Sequence, residues 1–281
     1  MMLAENLDVA AKQIRLYTLK ELRALGFGHF GGSLSIVEAL AVIYGKHLAV
    51  DPEKPEDANR DYFVLSKGHG GPALYATLFL KGFFAEEELY TLNQNGTRLP
   101  SHPDRNLTPG VEMTTGSLGQ GISVAGGIAF GNMLAGRENY TYAIVGDGEL
   151  NEGQCWEAFQ FIGHHRLDRM IVLIDDNKKQ LDGLTADIID PLDLEWKMQA
   201  FGFNTSKVDG SSTQAIDEAI QTAKRTSGKP HAIVLDTVKG QGVTHIEEKA
   251  DNHHLRPDDA DWQAIDGAIL ALENDLEGVA Q

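Results

Sequence analysis

Four short apolar runs punctuate the chain, and each closes on glycine or polar residues. Tyr62-Phe63-Val64-Leu65 leads into Ser66-Lys67-Gly68-His69-Gly70-Gly71, and Tyr142-Ala143-Ile144-Val145 leads into Gly146-Asp147-Gly148. The run at 170–174 ends in Asp175-Asp176-Asn177, and Ala232-Ile233-Val234-Leu235 ends in Asp236-Thr237-Val238-Lys239-Gly240. Runs with no polar alternation suit strands covered on both faces, as in a parallel sheet. Helical patterns fill the intervals. Ile216, Ala219, Ile220 and Ala223 recur at helical spacing behind a Ser211-Ser212-Thr213-Gln214 capping box. Residues 119–135 are small and apolar on nearly every side, which predicts a helix packed closely on its neighbours or at a subunit interface. Residues 258–281 read as one amphipathic helix with an acidic tail. Strands alternating with helices predict a doubly wound α/β fold: a mostly parallel sheet with helices on both faces and right-handed crossovers. The proline-bearing stretch 51–60 reads as a loop and not as a linker, so residues 1–281 are expected to form a single domain. Ligands of such sheets bind beyond the carboxyl ends of the strands, where all four polar clusters lie. The pattern therefore predicts one site.

Composition narrows the function classes. The chain has 281 residues, 42% apolar, and no run approaches a membrane span. A net charge of −17 argues against nucleic-acid binding, which needs a basic footprint. An acidic protein that binds an anion must use backbone N–H groups, a metal or a few placed cations. The single cysteine, Cys155, excludes an intrachain disulfide framework. The first fifteen residues lack a signal peptide's apolar core, and the expected location is cytoplasmic.

Gly146-Asp147-Gly148 and Asp176-Asn177 are separated by the length of a βαβ crossover, which would set Asp147 and Asn177 side by side at adjacent strand ends. A carboxylate and an amide oxygen are hard ligands suited to Mg²⁺ or Ca²⁺, whose shells are commonly completed by phosphate oxygens and water. Flanking glycines let backbone N–H groups approach a diphosphate, and a following helix N-terminus favours negative charge. A lone Gly-Asp-Gly is more often a capped turn; the pairing with Asp-Asn at strand ends makes the metal reading the better one.

These two segments resemble the thiamine-diphosphate fingerprint. Further segments resemble transketolase in particular: Gly28-His29-Phe30-Gly31-Gly32-Ser33, Leu65-Ser66-Lys67-Gly68-His69-Gly70, Leu99-Pro100-Ser101-His102-Pro103 and Thr115-Gly116-Ser117-Leu118-Gly119-Gln120-Gly121. The resemblance runs from about His29 to Pro257. It implies the diphosphate-binding domain of the thiamine-diphosphate fold. It further implies that Asp147 and Asn177 ligate Mg²⁺ (Ca²⁺ or Mn²⁺ as substitutes) through side chains and Lys179 through its carbonyl. His69, Gly148 and Asn177 would serve the diphosphate, and Gly116, Ser117 and Leu118 would line the thiazolium ring. His29, His102 and a late histidine would contact the donor sugar or cofactor. Spacing to Pro257 selects His254 over His253 for that last role, although Leu255 stands where relatives carry glycine. Phe30 and Ser117 stand where many relatives carry proline. Glu152 matches an interface glutamate, and is equally readable as a solvated residue of a helix's first turn. His164, His165 and His231 read as structural or solvated, and Cys155 as a small helix residue.

In transketolases a second domain supplies the glutamate beside the cofactor's aminopyrimidine ring, and the resemblance does not reach that domain. The chain is thus expected to be one subunit of a two-subunit transketolase. Its partner would be a C-terminal subunit with the pyrimidine-binding domain, in a heterotetramer acting on sugar phosphates of pentose-phosphate metabolism. Rival readings are another thiamine-diphosphate enzyme, such as deoxyxylulose-phosphate synthase or a 2-oxo acid dehydrogenase subunit, and a non-catalytic interaction protein of the same fold.

Overall fold

The computed structural model describes residues 2–279. The expected apolar runs form β1 (Tyr62–Leu65), β2 (Thr141–Gly146), β3 (Met170–Asp176) and β7 (His231–Asp236). Lys179–Gln180 and Gly183–Leu184 make a small antiparallel pair, β4 and β5, just beyond β3. A fifth strand of the main sheet, β6 (Asn204–Asp209), has no apolar run to announce it. It is an edge strand with half-exposed residues, so its sequence carries little burial signal. The main sheet is wholly parallel, in the order β1-β2-β3-β7-β6.

Side chains alternate between two cores. Phe63, Leu65, Tyr142, Ile144, Ile171, Leu173, Ile233 and Leu235 face a layer that includes helices Leu7–Leu25, Gly71–Lys81 and Thr213–Arg225. Val64, Ala143, Val145, Val172, Ile174 and Val234 face the opposite layer, built from helices Gln120–Leu134, Gly153–His164 and Leu194–Ala200. Helices therefore cover both faces, as the run pattern predicts. Each fully buried aliphatic side chain contributes about 1.5–3 kcal/mol over an exposed one. The central strands carry such residues through most of their length, facing the two cores in turn.

Local signals meet mixed fates. The helix Thr213–Arg225 is capped by Ser212, whose hydroxyl accepts from the Ala215 N–H, whereas Gln214 bonds Glu218 and closes no reciprocal box. The helix Gln120–Leu134 packs tightly on one side only. A Cβ at Gly121 would lie 2.6 Å from the Ser66 Cα, whereas Gly127 and Gly131 face open space. The helix Asp259–Val279 lies along Leu7–Leu25 through Lys12–Asp275, Lys20–Glu273 and Arg23–Asp266 ion pairs. Among the described residues no helix is long and apolar enough to cross a membrane.

Candidate active site

Beyond the carboxyl ends of β2 and β3 the chain makes two turns that interlock. Asp147, buried, accepts the Gly148 N–H at 2.8 Å on one carboxylate oxygen and the Lys178 N–H at 2.7 Å on the other. Lys178 sits in the left-handed region with φ of 68°. That backbone bend turns the 177–179 segment back across the strand end. Asn177 Oδ1 accepts the next-but-one N–H, that of Lys179, at 3.2 Å. The oxygens of Asp147 and Asn177 are thus held on adjacent peptide N–H groups of one turn. The Lys179 carbonyl, at the end of the same turn, accepts from Lys239 Nζ at 3.0 Å. Burial and the neighbouring Asp175 push the Asp147 carboxyl up to about 7.

These donors fit a divalent cation. One carboxylate, one amide oxygen and one carbonyl form the hard oxygen set that Mg²⁺ takes alongside phosphate oxygens and water, and the Lys179 carbonyl already accepts from a cationic group. Among the described residues no group of three or more His, Cys, Asp or Glu side chains could hold a metal. A mixed set with a single carboxylate does not need one.

Beneath the turn lies a buried hub. Asp175 and Lys67, both fully buried, pair at 2.5 Å. Asp175 also accepts from Ser35 Oγ at 2.8 Å, Thr237 Oγ1 at 2.5 Å and Asn177 Nδ2 at 2.8 Å. Four donors and the Lys67 charge hold its carboxyl below the usual range despite burial. Glu149 makes a second hub: it accepts from Ser66 Oγ and from the Gly119 and Gly146 N–H groups, tying the 115–121 loop to β1 and β2.

Five imidazoles line the adjoining surface. His29 lies 5.9 Å from His69, 5.2 Å from His102, 5.5 Å from His253 and 4.7 Å from His254, centroid to centroid. Burial, aided by neighbouring imidazoles and Lys239, pushes His29 and His253 down to about 3. His69 and His102 are lowered as well, chiefly by burial. These four therefore work as neutral rings that donate and accept hydrogen bonds near neutral pH. Lys239 Nζ lies 2.9 Å from His253 Nδ1. An ammonium has no acceptor, so Nδ1 must accept and the ring proton sits on Nε2.

The two late histidines divide. His253 lies tilted against His69, 4.7 Å between centroids, and touches Lys239, which also bonds the Lys179 carbonyl. His254 faces His29 and Phe27 instead. Leu255, in the place of the family glycine, pairs both backbone groups with Gly28 and buries its side chain. This bridge fastens the two histidines to the His29 segment.

Backbone proximity explains the glycines. A Cβ on Gly148 would stand 2.7 Å from the Gln180 Cβ, and one on Gly32 would stand 2.5 Å from the His69 ring. Gly116, at φ of 138°, lies against the His102 ring and the Gly68 backbone. Ser117 is exposed and Leu118 half-buried on the same loop. Glu152 is exposed beside Gly119, N-capping its helix with no side-chain hydrogen bond. Cys155 is buried, its thiol on the Glu149 carbonyl, and His231 is spent on the Thr226 carbonyl.

Sequence reasoning passed over Asp175, Lys67, Ser35, Thr237, Glu149 and Lys239. A signal existed for two of them: charged residues closing an all-apolar strand are candidates for a buried pair, and Lys67 and Asp175 are both such residues.

Residues 7–266 match the family described as transketolase, thiamine diphosphate binding domain. The chain is 47% identical over 272 residues to the 6-deoxy-6-sulfo-D-fructose transketolase subunit SqwG of Clostridium sp. (strain MSTE9), covering 96% of this chain and 97% of that one. It is 37% identical to an apulose-4-phosphate transketolase subunit of Actinobacillus succinogenes, covering 90% and 92%. A transketolase crystal structure from Pichia stipitis superposes with a TM-score of 0.87 at 31% identity, over 95% of this chain but only 41% of that one. The chain belongs to the transketolase family, as a thiamine-diphosphate-binding subunit of a transketolase-type enzyme.

Proposed function

We propose that this chain holds the diphosphate of thiamine diphosphate through Mg²⁺ and transfers a two-carbon ketol unit from a ketose to an aldose, both bearing an anionic group. The reading rests on one observation: the 177–179 turn gathers the Asp147 carboxylate, the Asn177 amide oxygen and the Lys179 carbonyl across two strand ends. Mg²⁺ would sit on those three oxygens, and Ca²⁺ or Mn²⁺ could replace it. The Gly148 N–H, His69, His253 and Lys239 would face the diphosphate. Gly116, Ser117 and Leu118 would pack against the thiazolium ring. His29, His102 and His254 would bind the donor's hydroxyls through their ring nitrogens and relay their protons. His254 thus keeps its donor role, while His253 takes over the cofactor-side place. Thiamine diphosphate, when bound, supplies the electron sink for cleaving the ketose carbon–carbon bond.

A pyrimidine-binding companion chain is part of the proposal. The two relatives that this chain spans almost completely are named as subunits, whereas it spans 41% of the Pichia stipitis chain. The one-domain reading of residues 1–281, a 2 + 2 assembly and a cytoplasmic setting complete it. Phosphate or sulfonate is the anionic group in view, since the relatives' names carry one of each. The test is turnover of fructose 6-phosphate and of 6-deoxy-6-sulfofructose with ribose 5-phosphate, Mg²⁺ and thiamine diphosphate. Turnover of a ketose donor only after a companion subunit is added supports the reading; turnover by the chain alone, or by no assembly, refutes it.

A further inference from the structure

We infer that Asp175 is a positioning residue for metal binding: paired with Lys67, it holds the Nδ2 end of the Asn177 amide so that oxygen, and not nitrogen, faces the cation. The inference rests on the proposed ligand role of Asn177.

An asparagine amide has two ends of nearly equal size and opposite hydrogen-bonding character. A cation tolerates only the oxygen end. Something must therefore choose the rotamer, and on this chain the choice falls to Asp175. Its Oδ2 takes Asn177 Nδ2 at 2.8 Å, and an ionised carboxylate accepts only, so the reverse amide orientation would set oxygen against oxygen. Asn177 Oδ1 is left on the opposite side, where it meets the Lys179 N–H and the Asp147 turn.

The remaining partners of Asp175 hold the carboxylate in that state and place. Lys67 Nζ lies 2.5 Å away, and Ser35 Oγ and Thr237 Oγ1 occupy other lone pairs. Those donors come from the segment after β1, from the end of the helix Phe30–Leu34 and from the end of β7. Every group is buried, with Asp175 and Lys67 at 0% exposure. A buried ion pair is a poor source of stability, because desolvation offsets its attraction and apolar replacements are often as stable. A pair kept in this position, with a proposed metal ligand hanging from one carboxylate oxygen, has a geometric task. Groups that orient metal ligands commonly matter about 10–100-fold to metal affinity.

The test uses the enzyme assembled with its companion subunit. Thiamine diphosphate binding is measured by calorimetry across a Mg²⁺ titration, with thermal unfolding recorded in parallel, for wild type, Asp175→Asn, the Lys67→Met/Asp175→Leu double variant and Asp147→Ala. The double variant leaves no buried charge unpaired, so it gives the answer if Asp175→Asn fails to fold. Expected is a Mg²⁺ half-saturation raised at least tenfold in the Asp175 variants, with thiamine diphosphate binding restored at high Mg²⁺. Wild-type Mg²⁺ dependence in both Asp175 variants, with binding lost in Asp147→Ala, overturns the inference alone. Wild-type dependence in Asp147→Ala as well removes the metal-ligand reading and this inference with it.

Discussion

Replacing Asp147 with asparagine should stabilise the cofactor-free chain at alkaline pH while abolishing Mg²⁺-dependent cofactor binding. The carboxyl titrates near 7 in the fold against an ordinary 3.8, chiefly because burial penalises its charge and Asp175 lies close by. The folded state therefore binds a proton that the unfolded state has released between those values. Its stability falls as pH rises from about 4 to 7 and stays low above. Linkage between 3.8 and about 7 gives a cost of about 1.7 kcal/mol at pH 5 and about 4 kcal/mol at pH 8. Asparagine does not titrate, so this cost disappears. It cannot accept both the Gly148 and Lys178 N–H groups with oxygen, and the opposed N–H contact costs about 1–3 kcal/mol at every pH. That constant cancels when two pH values are compared. The stability of Asp147→Asn minus that of wild type should rise by about 2.5 kcal/mol from pH 5 to pH 8, some 5 °C in unfolding temperature. Thermal unfolding at both pH values, without cofactor, measures it. A difference that stays flat or falls with pH would show that the buried Asp147 carboxyl is not raised in the fold.

Further expectations concern other parts of the site and the scaffold. Gly148→Ala, whose Cβ would meet the Gln180 Cβ at 2.7 Å, should weaken thiamine diphosphate binding by tenfold or more in calorimetry; unchanged affinity would show that the two turns can part. His253→Ala should raise the Kd for the cofactor and His254→Ala the KM for the donor ketose, so an exchange of these effects would reverse their assignment. His29 titrates near 3 against an ordinary 6.5, so the unfolded state protonates first and stability is lost as pH falls through 6.5. The urea stability of wild type relative to His29→Asn should therefore drop by about 1–2 kcal/mol between pH 7 and pH 5. Ser212→Ala removes the hydroxyl that accepts the Ala215 N–H and should cost about 1 kcal/mol, with activity unaffected.

The parts of the fold legible in the sequence are those where burial leaves one solution. β1, β2, β3 and β7 are apolar at nearly every position because helices cover both faces, and their polar endings mark the carboxyl edge where the site forms. β6 was illegible for the opposite reason: an edge strand covered by little needs no apolar run. Asp147, His29 and His69 stand out through glycine-bracketed motifs, His102 through a proline-bracketed one, and Asn177 through its crossover spacing from Asp147. The choice between His253 and His254 was not legible from spacing, because it depends on Leu255 pairing with Gly28, a contact between segments more than 200 positions apart. Lys67 and Asp175 escaped notice because each reads locally as an ordinary polar residue ending a strand. Only the parallel pairing of β1 to β2 and β2 to β3 brings their side chains together.

The proposed cofactor site depends on one divalent cation shared by Asp147, Asn177 and the Lys179 carbonyl. Crystals of the assembled enzyme grown with Mn²⁺ and thiamine diphosphate, measured for anomalous scattering, test it directly. One strong peak is expected at about 2.0–2.3 Å from all three protein oxygens and from the diphosphate. A manganese peak elsewhere, or diphosphate bound in that place with no metal on those oxygens, would contradict it.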